Sequence, residues 1–133
     1  MGKEMAAPRG TERFVQEYDA GETVFHEGDP GREMFVVLSG SVEIYRQTEG
    51  DQTHSLATLG QGEMFGEMAL VSEGRRFASA RAVVPETRLV KVDQARFVYL
   101  VSQQPAFALS VIRMMAERLA KAGQQTTALA EGA

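Results

Sequence analysis

Between Phe14 and Val92, glycines and turn residues cut the chain into short β-type runs, and nothing else constrains its fold as strongly. Thr23-Val24-Phe25-His26 is one such run, closed by the turn cluster Glu27-Gly28-Asp29-Pro30-Gly31. Met34 to Leu38 is a strongly apolar strand. Ser39-Gly40 signals a tight turn, after which Val42-Glu43-Ile44-Tyr45-Arg46 alternates apolar and polar. Glu49-Gly50-Asp51 is a further turn leading into Thr53 to Leu59. Ser79 to Val84 and Thr87 to Val92 complete the set, with Leu89, Val90 and Val92 supplying apolar content. Strands this short with glycine at their turns predict a small antiparallel barrel or jelly roll. Gly28, Gly31, Gly40 and Gly62 read as turn formers.

At Asp93 the pattern changes to a helical period. Asp93 is placed to cap a helix through Phe97, Leu100 and Val101, which Gln103-Gln104-Pro105 ends. Pro105 suits the first turn of a second helix. Phe107, Val111, Met114, Met115, Arg118, Leu119 and Ala122 recur along it, and Gly123 is its expected stop. Met68, Met114 and Met115 read as core or helix-packing residues. The fold class is therefore α+β: an antiparallel barrel or jelly roll followed by two C-terminal helices. With 133 residues, one domain with one core is expected over 13–123. Residues 1–12 are expected to form a disordered lead and 124–133 a frayed tail.

Composition removes several classes of function. The formal net charge of −4 disfavours nucleic acid, whose phosphates call for a cationic surplus. The dozen residues after Lys121 are too few for a helix-turn-helix domain. No run of apolar residues reaches bilayer length, and the N-terminus has no signal-peptide core, so a cytoplasmic protein without membrane contact is expected. There is no cysteine for a disulfide or thiolate metal site. His26 and His54 fall on separate strands, so no metal site is expected, and the His-rich strand motif of a cupin is missing. No Ser-His-acid triad or base is recognisable, so the chain is not expected to be an enzyme.

What chemistry the sequence does carry lies in Met64-Phe65-Gly66-Glu67-Met68-Ala69-Leu70-Val71-Ser72-Glu73-Gly74-Arg75-Arg76-Phe77-Ala78-Ser79-Ala80. A buried phosphodiester needs a partner for its charge, and the planar fork of an arginine meets two of its oxygens. Gly66 lets the backbone approach a ligand, and residues 67–71 form a helical turn whose amides favour an anion. Glu67 would repel a phosphate unless it faces a hydroxyl, such as that of a ribose. Ala78 and Ala80 are small enough for a strand to lie against the ligand. Taken singly, Arg76 reads equally as a surface ion pair with Glu73, and Glu67 as an acid at a helix start.

The segment resembles the phosphate-binding cassette of the cyclic nucleotide-binding domain family. That family includes bacterial catabolite activator proteins, regulatory subunits of cyclic AMP-dependent protein kinase and cyclic-nucleotide-gated channels. Phe65-Gly66-Glu67, Ala69-Leu70, Arg76 and Ala78 match its pattern with the usual spacing, and Glu27-Gly28-Asp29 with Gly31, Met34 to Gly40 and Leu59 to Gly62 resemble its barrel turns. The likeness runs from about Phe14 to Lys121. It implies that Glu67 accepts the ribose 2′-hydroxyl and Arg76 binds the cyclic phosphate; a loop register shifted by one gives that role to Arg75. Backbone amides of Ala69 or Leu70 and of Phe77 are implied as further donors, so the implied ligand-binding set is Gly66, Glu67, Met68, Ala69, Leu70, Arg75, Arg76, Phe77 and Ala78.

Two departures bear on the base. Family members that prefer cyclic GMP often carry Thr or Ser after the arginine, where this chain has Phe77, with Ser79 two residues on. The resemblance thus favours cAMP over cGMP as ligand. The paired hydroxyl residues that cap the base in catabolite activator proteins are missing from Leu119-Ala120-Lys121-Ala122-Gly123, leaving Arg118 or Lys121 to cover it. The expected function is a stand-alone regulatory sensor whose terminal helix transmits the ligand state to an unknown effector, with a homodimer through that helix as one mode. The alternative is an interaction module that keeps the fold without the ligand.

Overall fold

The computed structural model describes residues 14–72 and 74–132, with side chains as far as residue 123. The chain divides into two compact units at Phe97 and Val98. The first holds eight strands: β1 (Val15–Tyr18), β2 (Thr23–Phe25), β3 (Glu33–Ser39), β4 (Val42–Gln47), β5 (Thr53–Leu59), β6 (Met64–Phe65), β7 (Ser79–Ala82) and β8 (Thr87–Asp93). Helix α1 (Gln94–Gln103) follows at once and runs into the second unit, which α2 (Pro105–Gly132) completes.

The strands form two four-stranded sheets in the orders β1-β8-β3-β6 and β2-β7-β4-β5, with every pairing antiparallel. This is a jelly roll, and its two sheets stay separate rather than closing into a barrel. The side-chain alternation of a strand sends Phe35 and Val37 of β3 and Leu89 of β8 into one cluster with Val42, Leu59, Phe65 and Ala80. Tyr18, Val24, Phe25 and Ile44 pack around it. On the other face of the same sheet, Met34 pairs with Val92 and Val36 with Val90, and all four are buried. That double burial is why β3 reads as an unbroken apolar run. Each such side chain contributes roughly 1.5–3 kcal/mol by leaving water.

Two strands escaped the sequence reading. β1 has only half-buried and exposed positions, so it lacks an alternating signal. β6 is two residues long and pairs with Phe35 and Val36. Asp93 does cap α1, its carboxylate accepting the Arg96 N–H at 2.7 Å. The break at Gln104 and the restart at Pro105 are also where the residues place them. Gly123 does not end α2, whose backbone continues to Gly132. A single interior glycine costs only about 1 kcal/mol relative to alanine, and Ala and Gln dominate its surroundings. Met68 and Met115 are not core residues; they are 53% and 46% exposed, while Leu70 is the cassette's inward anchor. The lead over residues 1–12 lies outside the described residues, as do the side chains of the 124–133 tail.

Candidate functional site

The cassette hangs from β3. β6 delivers the chain to Gly66, which adopts φ 79°, a left-handed conformation suited to glycine. A Cβ there would lie 2.9 Å from Arg76 Nη1 and 3.3 Å from the Glu33 carbonyl oxygen. Glycine is thus required twice over, by conformation and by the closeness of the arginine. Glu67–Leu70 then makes one turn of 3-10 helix, with the Ala69 N–H donating to the Gly66 carbonyl at 3.2 Å. Buried Leu70 fixes the turn from within, and Gln94 Nε2 donates to its carbonyl at 2.9 Å. Glu67 opens the turn, half-buried, where the local peptide dipoles favour a carboxylate.

The second half of the cassette is clamped to the turn between β2 and β3. The Gly28 N–H donates to the Arg76 carbonyl at 2.7 Å, the Arg76 N–H donates to the Asp29 carbonyl at 2.8 Å, and Pro30 forms an isolated bridge with Arg75. This short antiparallel clamp separates the adjacent arginines. Arg75 lies exposed, its Nη1 donating to the Gly28 carbonyl at 3.0 Å. Arg76 turns inward and keeps only 8% of its surface. Its Cζ stands 4.1 Å from the centroid of the Phe25 ring and 5.9 Å from that of Phe35. Gly31 presses on the Nε and Cζ atoms so closely that a Cβ would overlap them. Gly31 lies in this turn but, unlike Gly28, Gly40 and Gly62, has no positive φ, so what it supplies there is its lack of a side chain.

The electrostatics of Arg76 are unusual. Arg46, Arg81 and Lys91 meet the carboxylates of Glu27, Glu43 and Glu33 at 3.0, 2.7 and 3.5 Å. Among the described residues Arg76 makes no such pair, and Glu73 lies outside them. Its Nε is buried without a hydrogen-bond partner, and Nη1 reaches the Gly66 carbonyl only at 3.4 Å. Burial pulls its pKa down, while the charges of Glu33 and Asp29 push the other way. A guanidinium nonetheless stays protonated, so the site holds a fixed cation with unused donor capacity. Buried donors of this kind are rarely left unmatched. Chemically, the site offers a charged fork for an anion, packed against Gly66, and in the next residue, Glu67, a carboxylate able to accept a hydrogen bond from a hydroxyl.

The other cassette residues are divided between wall and rim. Phe77 is 63% exposed, whereas Ala78 and Ala80 are buried. The Ser79 hydroxyl accepts the Glu27 N–H at 2.8 Å, so it is tied into the fold. Gly66, Glu67, Met68, Ala69, Leu70, Arg75, Arg76, Phe77 and Ala78 thus all belong to the first unit. Arg118, half-buried, and Lys121, exposed, belong to α2 of the second. A cavity of about 350 Å³ lined by Arg32, Ala69, Leu70, Val71, Ser72, Asp93, Gln94 and Ala95 includes neither Glu67 nor Arg76. Sequence reasoning missed Phe25: an aromatic on a short strand gives no sign that it will meet an arginine 51 positions away.

Known proteins resemble this chain in sequence and in fold. The family model for the cyclic nucleotide-binding domain matches residues 15–104. The cyclic AMP receptor protein of Thermus thermophilus is 39% identical over 105 residues, covering 79% of this chain and 48% of the relative. The crystal structure of the Thermus thermophilus catabolite activator protein superposes with a TM-score of 0.76 at 36% identity, covering 87% of this chain and 54% of that one. A cAMP-bound PfPKA-R structure gives a TM-score of 0.60 at 32% identity, over 65% of this chain and 30% of that one. The chain spans about half the length of the first curated relatives it matches. By sequence and by fold, it belongs to the cyclic nucleotide-binding domain family.

Proposed function

We propose that the chain binds cAMP in preference to cGMP, with the Arg76 guanidinium on the cyclic phosphate and the Glu67 carboxylate accepting the ribose 2′-hydroxyl. The observation that carries this reading is the buried Arg76 fork, whose Nε lacks any partner, set beside the Gly66–Glu67 turn. A phosphodiester supplies what that fork lacks: one negative charge and two acceptor oxygens in its plane. The inward turn of Arg76 and the outward turn of Arg75 favour Arg76 as the anchor. Phe77 and Ser79 favour adenine. The first offers no hydroxyl to guanine, and the hydroxyl of the second is engaged by the Glu27 N–H. A relative bearing the name cyclic AMP receptor protein and a neighbour solved with cAMP point the same way.

The output in this reading is a population shift rather than a reaction. Ligand that binds one arrangement of α1 and α2 better than another moves their equilibrium by the difference in affinity. Arg118 and Lys121 of α2 are the candidates for covering the base. Leu109, Ile112, Met115 and Leu119 of α2 are 62%, 61%, 46% and 75% exposed, at spacings that form a stripe suited to a second copy. The binding domain is taken as 13–123, in a cytoplasmic regulator whose effector is another protein or domain. Calorimetric titration with cAMP and with cGMP tests the ligand assignment. Tighter binding of cGMP refutes the preference, and binding of neither leaves the interaction-module reading.

A further inference from the structure

Arg76 is held by surprisingly little that is polar. Among the described residues its one side-chain hydrogen bond is the 3.4 Å contact to Gly66, at the weak end of the range, and its Nε has none. Arginine has among the largest rotamer freedom of any side chain, so an unheld guanidinium would not wait in one place. What does touch it closely is the ring of Phe25, 4.1 Å from Cζ, together with the bare backbone of Gly31. The ring is itself braced. Its centroid lies 5.9 Å from those of both Phe35 and Phe65, which stack on one another at 5.2 Å and an interplanar angle of 16°. Phe35 and Phe65 belong to the buried cluster between the sheets. In the β2–β7 pairing the small Ala80 stands opposite Phe25.

We propose that Phe25 is a positioning residue for the ligand phosphate: its ring, with Gly31 as the opening, forms a platform that fixes the Arg76 guanidinium in one orientation before ligand arrives. The proposal rests on Arg76 being the phosphate anchor. A cation over an aromatic face is attracted by the ring quadrupole, and more so where water is excluded. Fixing the fork in advance removes an ordering cost from binding, which is how preorganisation raises affinity. The platform touches no ligand atom, so its signature is loss of orientation as well as of affinity.

The test compares the unaltered chain with Phe25→Leu, Phe25→Tyr and Gly31→Val. Each is titrated with cAMP and with the two phosphorothioate diastereomers of cAMP, in which sulfur replaces one or the other exocyclic oxygen. A fixed fork distinguishes the two oxygens; a loose one does so less. Phe25→Leu is expected to bind cAMP roughly tenfold more weakly, and to narrow the affinity ratio between the diastereomers. Phe25→Tyr retains the aromatic face and is expected to keep both. Gly31→Val occupies the guanidinium's place without disturbing a positive φ and is expected to lose affinity even if Phe25→Leu fails to fold. Unchanged affinity and diastereomer ratio in Phe25→Leu, or unchanged affinity in Gly31→Val, overturns the platform while leaving Arg76 as anchor. Failure of the unaltered chain to bind cAMP overturns both.

Discussion

Replacing Arg76 by methionine should make the protein more stable and unable to bind its ligand. The substitution keeps an unbranched side chain of similar reach but removes the charge. In the present structure the residue keeps only 8% of its surface, with a buried Nε that has no hydrogen-bond partner and, among the described residues, one 3.4 Å side-chain hydrogen bond. Desolvating an ion costs several kcal/mol in a protein interior. The Phe25 contact returns about 1–2 kcal/mol, and the long hydrogen bond at most roughly 0.5 kcal/mol. Methionine gives up those gains but avoids the desolvation, and its sulfur packs well against the Phe25 ring. The balance favours Arg76→Met by about 1–3 kcal/mol, or roughly 4–12 °C in Tm for a chain of this size. Urea denaturation followed by circular dichroism reads the change as a higher midpoint at constant slope. Binding should move the opposite way. Two charge-assisted hydrogen bonds to the phosphate are each worth about 1.5–3 kcal/mol, so affinity for cAMP should fall by at least roughly 100-fold. A variant destabilised by more than about 1 kcal/mol at unchanged slope would mean that Arg76 is a structural ion and would refute the reasoning.

Three further outcomes follow from single contacts. Gly66→Ala puts a Cβ 2.9 Å from Arg76 Nη1 at φ 79° and should cost about 1–3 kcal/mol of stability together with ligand affinity; equal stability in thermal melts would contradict it. Asp93→Ala removes the carboxylate that caps α1 and should lower stability by about 1 kcal/mol, read by chemical denaturation, whereas Asp93→Asn should hold most of it. The Arg81 hydrogen bond, more than burial opposes it, holds the Glu43 carboxyl below its usual pKa. Its contribution is therefore complete above the unfolded-state value and is lost as pH falls through the folded one. Glu43→Gln should show a shallower loss of stability on acidification below about pH 4.5, and an unchanged acid limb would count against the pairing.

What the sequence made legible follows its strongest physical signals. The run from Met34 to Leu38, the Gly66–Glu67 pair and the Asp93 cap each rest on a local rule, and each stands where that rule puts it. The distinction between Arg75 and Arg76 did not rest on a local rule. It is made by backbone hydrogen bonds to Gly28 and Asp29, nearly fifty residues earlier, which set the loop's register. Phe25 and Gly31 were illegible for the same reason. Phe25 reads as ordinary strand content and Gly31 as a turn, and only the folded chain brings them to one guanidinium. β1 and β6 were missed because an exposed edge strand and a two-residue strand carry no period to detect. The methionines show the limit of composition: Met68 is apolar, yet the short turn that buries Leu70 leaves it outside.

The most direct measurement is calorimetric titration of the unaltered chain with cAMP, alongside Arg76→Met under the same conditions. Saturable binding by the unaltered chain, lost in a variant that melts at the same temperature or higher, is the predicted result. No heat and no thermal shift up to millimolar cAMP, or equal binding by the two proteins, would contradict the assignment of Arg76 as the phosphate anchor.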